Sequence, residues 1–209
     1  MNTPLKSLLP YIEVDFLNLN KNLNDETKNH CIRTALSMRN LCEKMDIDYA
    51  TSHKLIVSAY LHDIGKYYIP EKILMKKGHL TPLERTVVDM HSYYGYKHLM
   101  ALGVDKDICE LVLLHHGLSR YRGEAEFPSE RAIYNSAILK VCDAYDALTS
   151  NRAYRPSLSK EDAIRTMKST TETFDLGIIA LLEDTSWLVD EESFNEQYAK
   201  NDKGIYLVS

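Results

Sequence analysis

From Glu26 to Met45 the apolar residues Cys31, Ile32, Ala35, Met38, Leu41, Cys42 and Met45 recur at steps of three and four. That spacing lines one face of a helix, and its repetition along the chain constrains the fold more than any other feature. Asp25 stands where it could cap this first long helix. Tyr49 to His62 reads as a second helix, with Leu55, Ile56, Ala59 and Tyr60 inward and Gly65 marking its end. Thr81-Pro82-Leu83-Glu84 has a capping Thr, a Pro at the first helical position and an acid in the first turn. It predicts one helix from Pro82 to Met100. Asp105 caps a further helix through His116, and residues 129–148, 159–169 and 175–183 complete the set. Strand signals are confined to Tyr67–Ile69 and Ile205–Val208. The expectation is an all-α bundle of about seven or more helices with minimal strand. Residues 1–25 form a lead-in with a short helix, 26–186 the main domain, and 187–209 a helix and tail packed on it.

At 209 residues the chain suits one sizeable core better than two domains. No apolar run approaches the roughly 20 residues of a membrane span. The N-terminal stretch MNTPLKSLLPYIEVDF lacks the basic and apolar regions of a signal peptide, so a cytoplasmic protein with no membrane contact is expected. Cys31, Cys42, Cys109 and Cys142 show no CxxC spacing and read as reduced, buried residues rather than a disulfide scaffold or zinc finger. A net charge of −5 without a long basic run argues against binding a nucleic-acid polymer. A small anionic ligand remains compatible with it, since a few local cations suffice.

The chemistry lies in the histidines and their neighbours. His62-Asp63 pairs an imidazole with a carboxylate at a helix end, followed by Ile64-Gly65-Lys66. His115-His116 is a second adjacent pair at a helix end, directly before a long irregular stretch, Gly117 to Ser129. Asp143 interrupts an apolar helical segment, where a buried acid needs a partner or a metal. Glu26 and His30 are four apart and share a helix face. Imidazole with carboxylate suits Mn, Fe, Zn, Co or Ni, and such a cluster with open positions is what a hydrolytic two-metal centre requires.

These motifs resemble those of the HD superfamily of metal phosphohydrolases, and within it the HD-GYP branch. HDIGK (62–66) resembles the superfamily signature, and YYIPEKILMKKGHLTPLE (67–84) the branch's following segment. MHSYYG (90–95), HH (115–116), VCDAYDALTSNRAYR (141–155) and ETKNHCIR (26–33) are similar to its remaining elements, in the same order. The match covers about residues 26 to 185. It implies an HD-domain bundle and metal ligation by His30, His62, Asp63, His91, His115, His116 and Asp143, with Asp63 bridging. Two or three divalent ions are implied, Fe or Mn foremost. Lys66 would touch the scissile phosphate or the nascent leaving group, and Arg152 and Arg155 would hold the substrate's phosphates and base. Glu26 keeps two readings: the extra carboxylate of three-metal members, or a surface acid favoured by a helix N-terminus. His53, His79 and His98 lie off the pattern and read as structural. Asp146 reads as orienting a ligand or capping the backbone.

The chain departs from the branch in the loop that names it. Gly117 replaces the Glu after HH, and Gly123-Glu124-Ala125 stands at the GYP position. A fused sensory domain, common in the branch, is not expected in the 25 residues before Glu26. The resemblance therefore implies a phosphodiesterase for a cyclic dinucleotide, cyclic di-GMP being the branch's usual substrate, acting through metal-activated water. Two alternatives stand beside it: a phosphohydrolase for another nucleotide or phosphoester, and a metal-loaded cyclic-dinucleotide receptor with little turnover.

Overall fold

Asn24, rather than Asp25, opens the first long helix: its side chain accepts a hydrogen bond from the Thr27 amide at 2.8 Å. The same device starts most of the others. The structure, a computed structural model, describes Leu8 and residues 10–118, 128–151, 156–170 and 173–182. A short helix, α1 (Val14–Leu19), runs through a 3-10 turn (Asn20–Asn22) into α2 (Asp25–Lys44) and then α3 (Tyr49–Leu61). A second 3-10 turn (Ile64–Tyr68) leads to α4 (Glu71–Leu74), α5 (Pro82–Asp89), α6 (His91–Ala101) and α7 (Lys106–Leu114). The chain closes with α8 (Glu130–Thr149), α9 (Lys160–Ser169) and α10 (Leu176–Leu181). Asp48, Asp105, Ser129, Ser159 and Asp175 each accept from an amide of the first turn they cap. Thr81 and Glu84 form the reciprocal capping box that the sequence announces.

The core lies where α2, α3, α7 and α8 meet, and it is filled by Met38, Leu41, Leu55, Ile56, Leu61, Val112, Leu139 and Tyr145. All four cysteines are buried thiols, as their scatter predicts. The all-α expectation holds: no strand occurs among the described residues. Of the two strand candidates, Tyr67 and Tyr68 end the second 3-10 turn, and only Ile69 is extended (φ −92°, ψ 132°). It precedes Pro70, which disfavours helix for the residue before it. Ile205–Val208 lies outside the described residues, as does the C-terminal helix expected after residue 187. Among the described residues no helix is long and apolar enough to cross a membrane.

Two local expectations fail, and both failures shape the site. The single helix expected over Pro82–Met100 is broken at Met90, whose amide bonds back to Val87 in a tighter turn before α6 begins at His91. Gly65 does not close α3 with a left-handed residue; it sits inside the 3-10 turn, pressed on α6. A Cβ there would lie 1.8 Å from the carbonyl oxygen of His91 and 2.5 Å from the amide nitrogen of Gly95. Only a residue without a side chain lets these two backbones touch.

Candidate metal centre

Three imidazoles reach the same place by the same route. His62 follows the last residue of α3, His115 follows the last residue of α7, and His91 follows Met90, which caps the end of α5. Each ring turns its Nδ1–H back to the carbonyl three residues earlier: Ala59 at 2.8 Å, Val88 at 2.6 Å and Val112 at 2.6 Å. The last carbonyls of a helix lack intrahelical partners, so a helix end offers an acceptor that orients an imidazole. The break at Met90 provides such an end for His91. Because a carbonyl only accepts, Nδ1 carries the proton, and Nε2 presents its lone pair inward.

Those inward atoms form two groups. His91 Nε2 lies 3.1 Å from both His115 Nε2 and His116 Nε2. His30 Nε2 lies 3.1 Å from His62 Nε2 and 3.2 Å from Asp143 Oδ1. Asp63 stands between the groups: its Oδ1 is 3.2 Å from His91, and its Oδ2 is 3.6 Å from His30 and 3.5 Å from His62. The rings of His62 and His115, one from each group, have centroids 5.1 Å apart. The geometry thus gathers His30, His62 and Asp63 into one potential metal-binding set and His91, His115 and His116 into another.

The electrostatics suit cations. Burial pushes the His62 and His91 pKa values down, and burial with the neighbouring imidazoles takes His115 further down. His91 and His115, neutral and with bare nitrogens 3.1 Å apart, repel unless a cation lies between them. Burial alone would lower the His30 pKa, but its bonds to Asp143 and Asp146 raise it. The nitrogen and carboxylate donors of both groups fit divalent ions. Burial alone would raise the Asp63 pKa, but the Lys66 ammonium and the surrounding imidazoles hold it well below the usual carboxylate range. Asp143 is likewise low: burial opposes ionisation, and hydrogen bonding to His30 with the nearby rings outweighs it. Lys66 Nζ is 2.5 Å from Asp63 Oδ2.

His30 is held differently. Its Nδ1 pairs with Asp146 Oδ2 at 2.6 Å, and Asp146 is gripped by Arg33 through Nε at 2.6 Å and Nη2 at 3.1 Å. Ser150 adds a hydroxyl 2.9 Å from Arg33 Nη2. Asp146 is fully buried, yet the Arg33 charge and the bonds to His30 and Arg33 overcome that burial and bring its pKa to about 2. Asp146 therefore orients a ring, one of the two roles its position suggested. Arg33 was missed as part of the site, although an arginine on the inward face of α2, three residues after His30, is itself a signal of buried pairing.

Glu26 does not join either group. It is exposed on the first turn of α2 and lines a cavity of about 350 Å³ together with Lys66. His98 accepts or donates a hydrogen bond with Tyr68 at 2.7 Å, consistent with a structural role. Arg152, Arg155 and residues 119–127 of the loop after His115-His116 lie outside the described residues.

The HD-domain family profile matches residues 16–178. The chain belongs to the HD-domain family. A cyclic di-GMP phosphodiesterase of Thermotoga maritima is 31% identical over 170 residues, covering 75% of this chain and 44% of that protein. A cyclic di-GMP phosphodiesterase of Vibrio cholerae serotype O1 is 32% identical over 158 residues, covering 67% and 32%. This HD-domain chain thus spans less than half the length of these curated relatives. Among solved structures, the HD domain of the L. monocytogenes phosphodiesterase PgpH in complex with cyclic-di-AMP superposes with a TM-score of 0.59. At 18% identity, over 90% of this chain and 98% of that one, it shows a shared fold.

Proposed function

We propose that this HD domain is a metal-dependent phosphodiesterase of the HD-GYP type, opening a cyclic dinucleotide, cyclic di-GMP foremost, to its linear form. The observation that carries this reading is Asp63 standing between two imidazole groups, with Lys66 beside it. His30, His62, Asp63 and Asp143 would hold one divalent ion; His91, His115, His116 and the other oxygen of Asp63 would hold a second. Fe or Mn fits this nitrogen–oxygen donor set, which lacks thiolates. Such ions supply Lewis acidity toward a phosphoryl oxygen and a nucleophile drawn from water.

The chain's own residues do the rest. Asp63 fixes the separation of the two groups and, ionised, balances the positive charge gathered there. Lys66, one turn along from Asp63, presents a cation where charge grows on the phosphate and leaving oxygen. The carbonyls of Ala59, Val88 and Val112 keep three rings from rotating out of position. Arg152 and Arg155 complete the reading as cations for the substrate's phosphates and base. A substrate other than cyclic di-GMP is the second reading, favoured by the departure of residues 117–129 from the HD-GYP wording.

The test is turnover of cyclic di-GMP, 3′3′-cyclic GMP-AMP, cyclic di-AMP and generic phosphodiesters by protein loaded anaerobically with Fe(II) or Mn(II). Linear dinucleotide is the expected product. Asp63→Ala should lose metal and activity together. Tight binding without product in every metal state would overturn the enzyme reading in favour of a receptor, and cleavage of non-cyclic substrates alone would move it to the second reading.

A further inference from the structure

Three residues lining the cavity that holds Glu26 and Lys66 are linked to the metal centre. Glu26 is one helical turn before His30 on α2; Lys66 bonds Asp63; Val88, also on the wall, gives its carbonyl to His91. These links reach both ligand groups, so the cavity neighbours the centre. Its far wall is the segment from Ile73 to Leu80 with Arg85 of α5.

The charge on this wall is one-sided. Lys66, Lys76, Lys77 and Arg85 face it, against the single carboxylate of Glu26. Two of the four cations are committed: Lys66 to Asp63, and Lys76 to Glu84 at 2.6 Å, where Glu84 also closes the capping box of α5. Lys77 and Arg85 have no ion-pair partner among the described residues. Apolar surface from Ile73, Leu74, Leu80 and Val88 lies beside them. A volume of about 350 Å³ is at the low end of small-molecule sites, roughly 300–1,000 Å³, and suits half of a dinucleotide better than the whole.

We propose that this cavity receives the half of the substrate that is not being cleaved, its second phosphate bound by Arg85 and Lys77. The inference rests on the cyclic-dinucleotide reading of the adjacent centre. A substrate with two phosphates presents one to the metals and must place the other nearby. A guanidinium offers a planar fork of donors that matches phosphate oxygens, and an ammonium adds a point charge. The apolar wall would take the attached nucleoside. Neither Arg85 nor Lys77 belongs to the metal groups, and both are exposed, so removing them leaves the core and the ligands in place.

The test uses metal-loaded protein carrying Arg85→Ala, Lys77→Ala, both together, and Arg85→Lys. KM for cyclic di-GMP should rise about tenfold in Arg85→Ala and further in the double variant, as loss of charge-assisted hydrogen bonds implies. The inhibition constant of inorganic phosphate, which needs only the metal centre, should stay unchanged, as should metal content. Arg85→Lys should recover part of the loss. An unchanged KM in the double variant, or an equal weakening of inorganic phosphate, overturns the proposal while leaving the enzyme reading intact. Wild-type protein that neither binds nor cleaves any cyclic dinucleotide would remove the underlying reading, and this subsite with it.

Discussion

Asp146 shows how much one residue behind a ligand can decide. It touches no ion position, yet it sets the tautomer and angle of His30 and carries a charge that makes that ring a stronger donor. The other oriented rings lean on neutral carbonyls, so the His30 side of the centre is the more anionic side, with Asp143 adding to it. Asp146→Asn should therefore weaken the ion held by His30 and His62 by about 10- to 100-fold and leave the other less affected. Metal content at limiting Mn(II), with circular dichroism to confirm folding, would check this; equal loss of both ions would contradict it. The sequence offered Asp146 as an acid that orients a ligand or caps the backbone, but did not show Arg33 as its partner. Their pairing spans 113 residues and depends on α2 lying against α8, which no local pattern records.

At the scale of elements, the sequence was most informative where helix ends carry their own chemistry. Ser129, Ser159 and the Thr81–Glu84 box start helices where they were expected. It was least informative where tertiary contact overrides local preference. Val87-Val88-Asp89-Met90 contains no helix breaker, so the turn at Met90 had no signal; its use is visible only once Val88 is seen bonding His91. Gly65 was legible as a glycine that matters, for the wrong reason. The structural reason makes a sharp prediction: Gly65→Ala must push the 3-10 turn off α6, destabilising the protein by roughly 1–3 kcal/mol. It should also separate Asp63 and Lys66 from His91. Thermal unfolding and metal analysis should both respond; a variant with full stability and two tightly bound ions would refute the contact's importance.

At the scale of the molecule, a buried set of imidazoles and carboxylates is a cost to folding until ions offset it. Chelation should lower the unfolding temperature, and Mn(II) at about a hundred times its Kd should restore about 2.7 kcal/mol. For a domain of this size that corresponds to a rise of roughly 5–10 °C. Scanning calorimetry with and without the ion measures it directly, and an unfolding temperature indifferent to the metal would mean that the two groups are not loaded. The bundle itself was readable from helical periodicity, and the His62-Asp63 and His115-His116 pairs pointed to residues that the fold brings together. The cavity wall was not, because Lys77 and Arg85 look like ordinary surface cations until α5 is folded back toward Lys66.

The proposed ligands are spread over separate helices and their ends, and this gives the centre a history as well as a shape. During synthesis His30, His62, Asp63 and His91 emerge well before His115, His116 and Asp143. A growing chain thus passes through a stage in which it owns three of the four groups proposed for one ion and two of the four proposed for the other. The last ligand lies on α8, whose arrival also buries Asp146 against Arg33. On this reading full metal capture waits for α8, and a loaded centre certifies that every helix contributing to it has found its place.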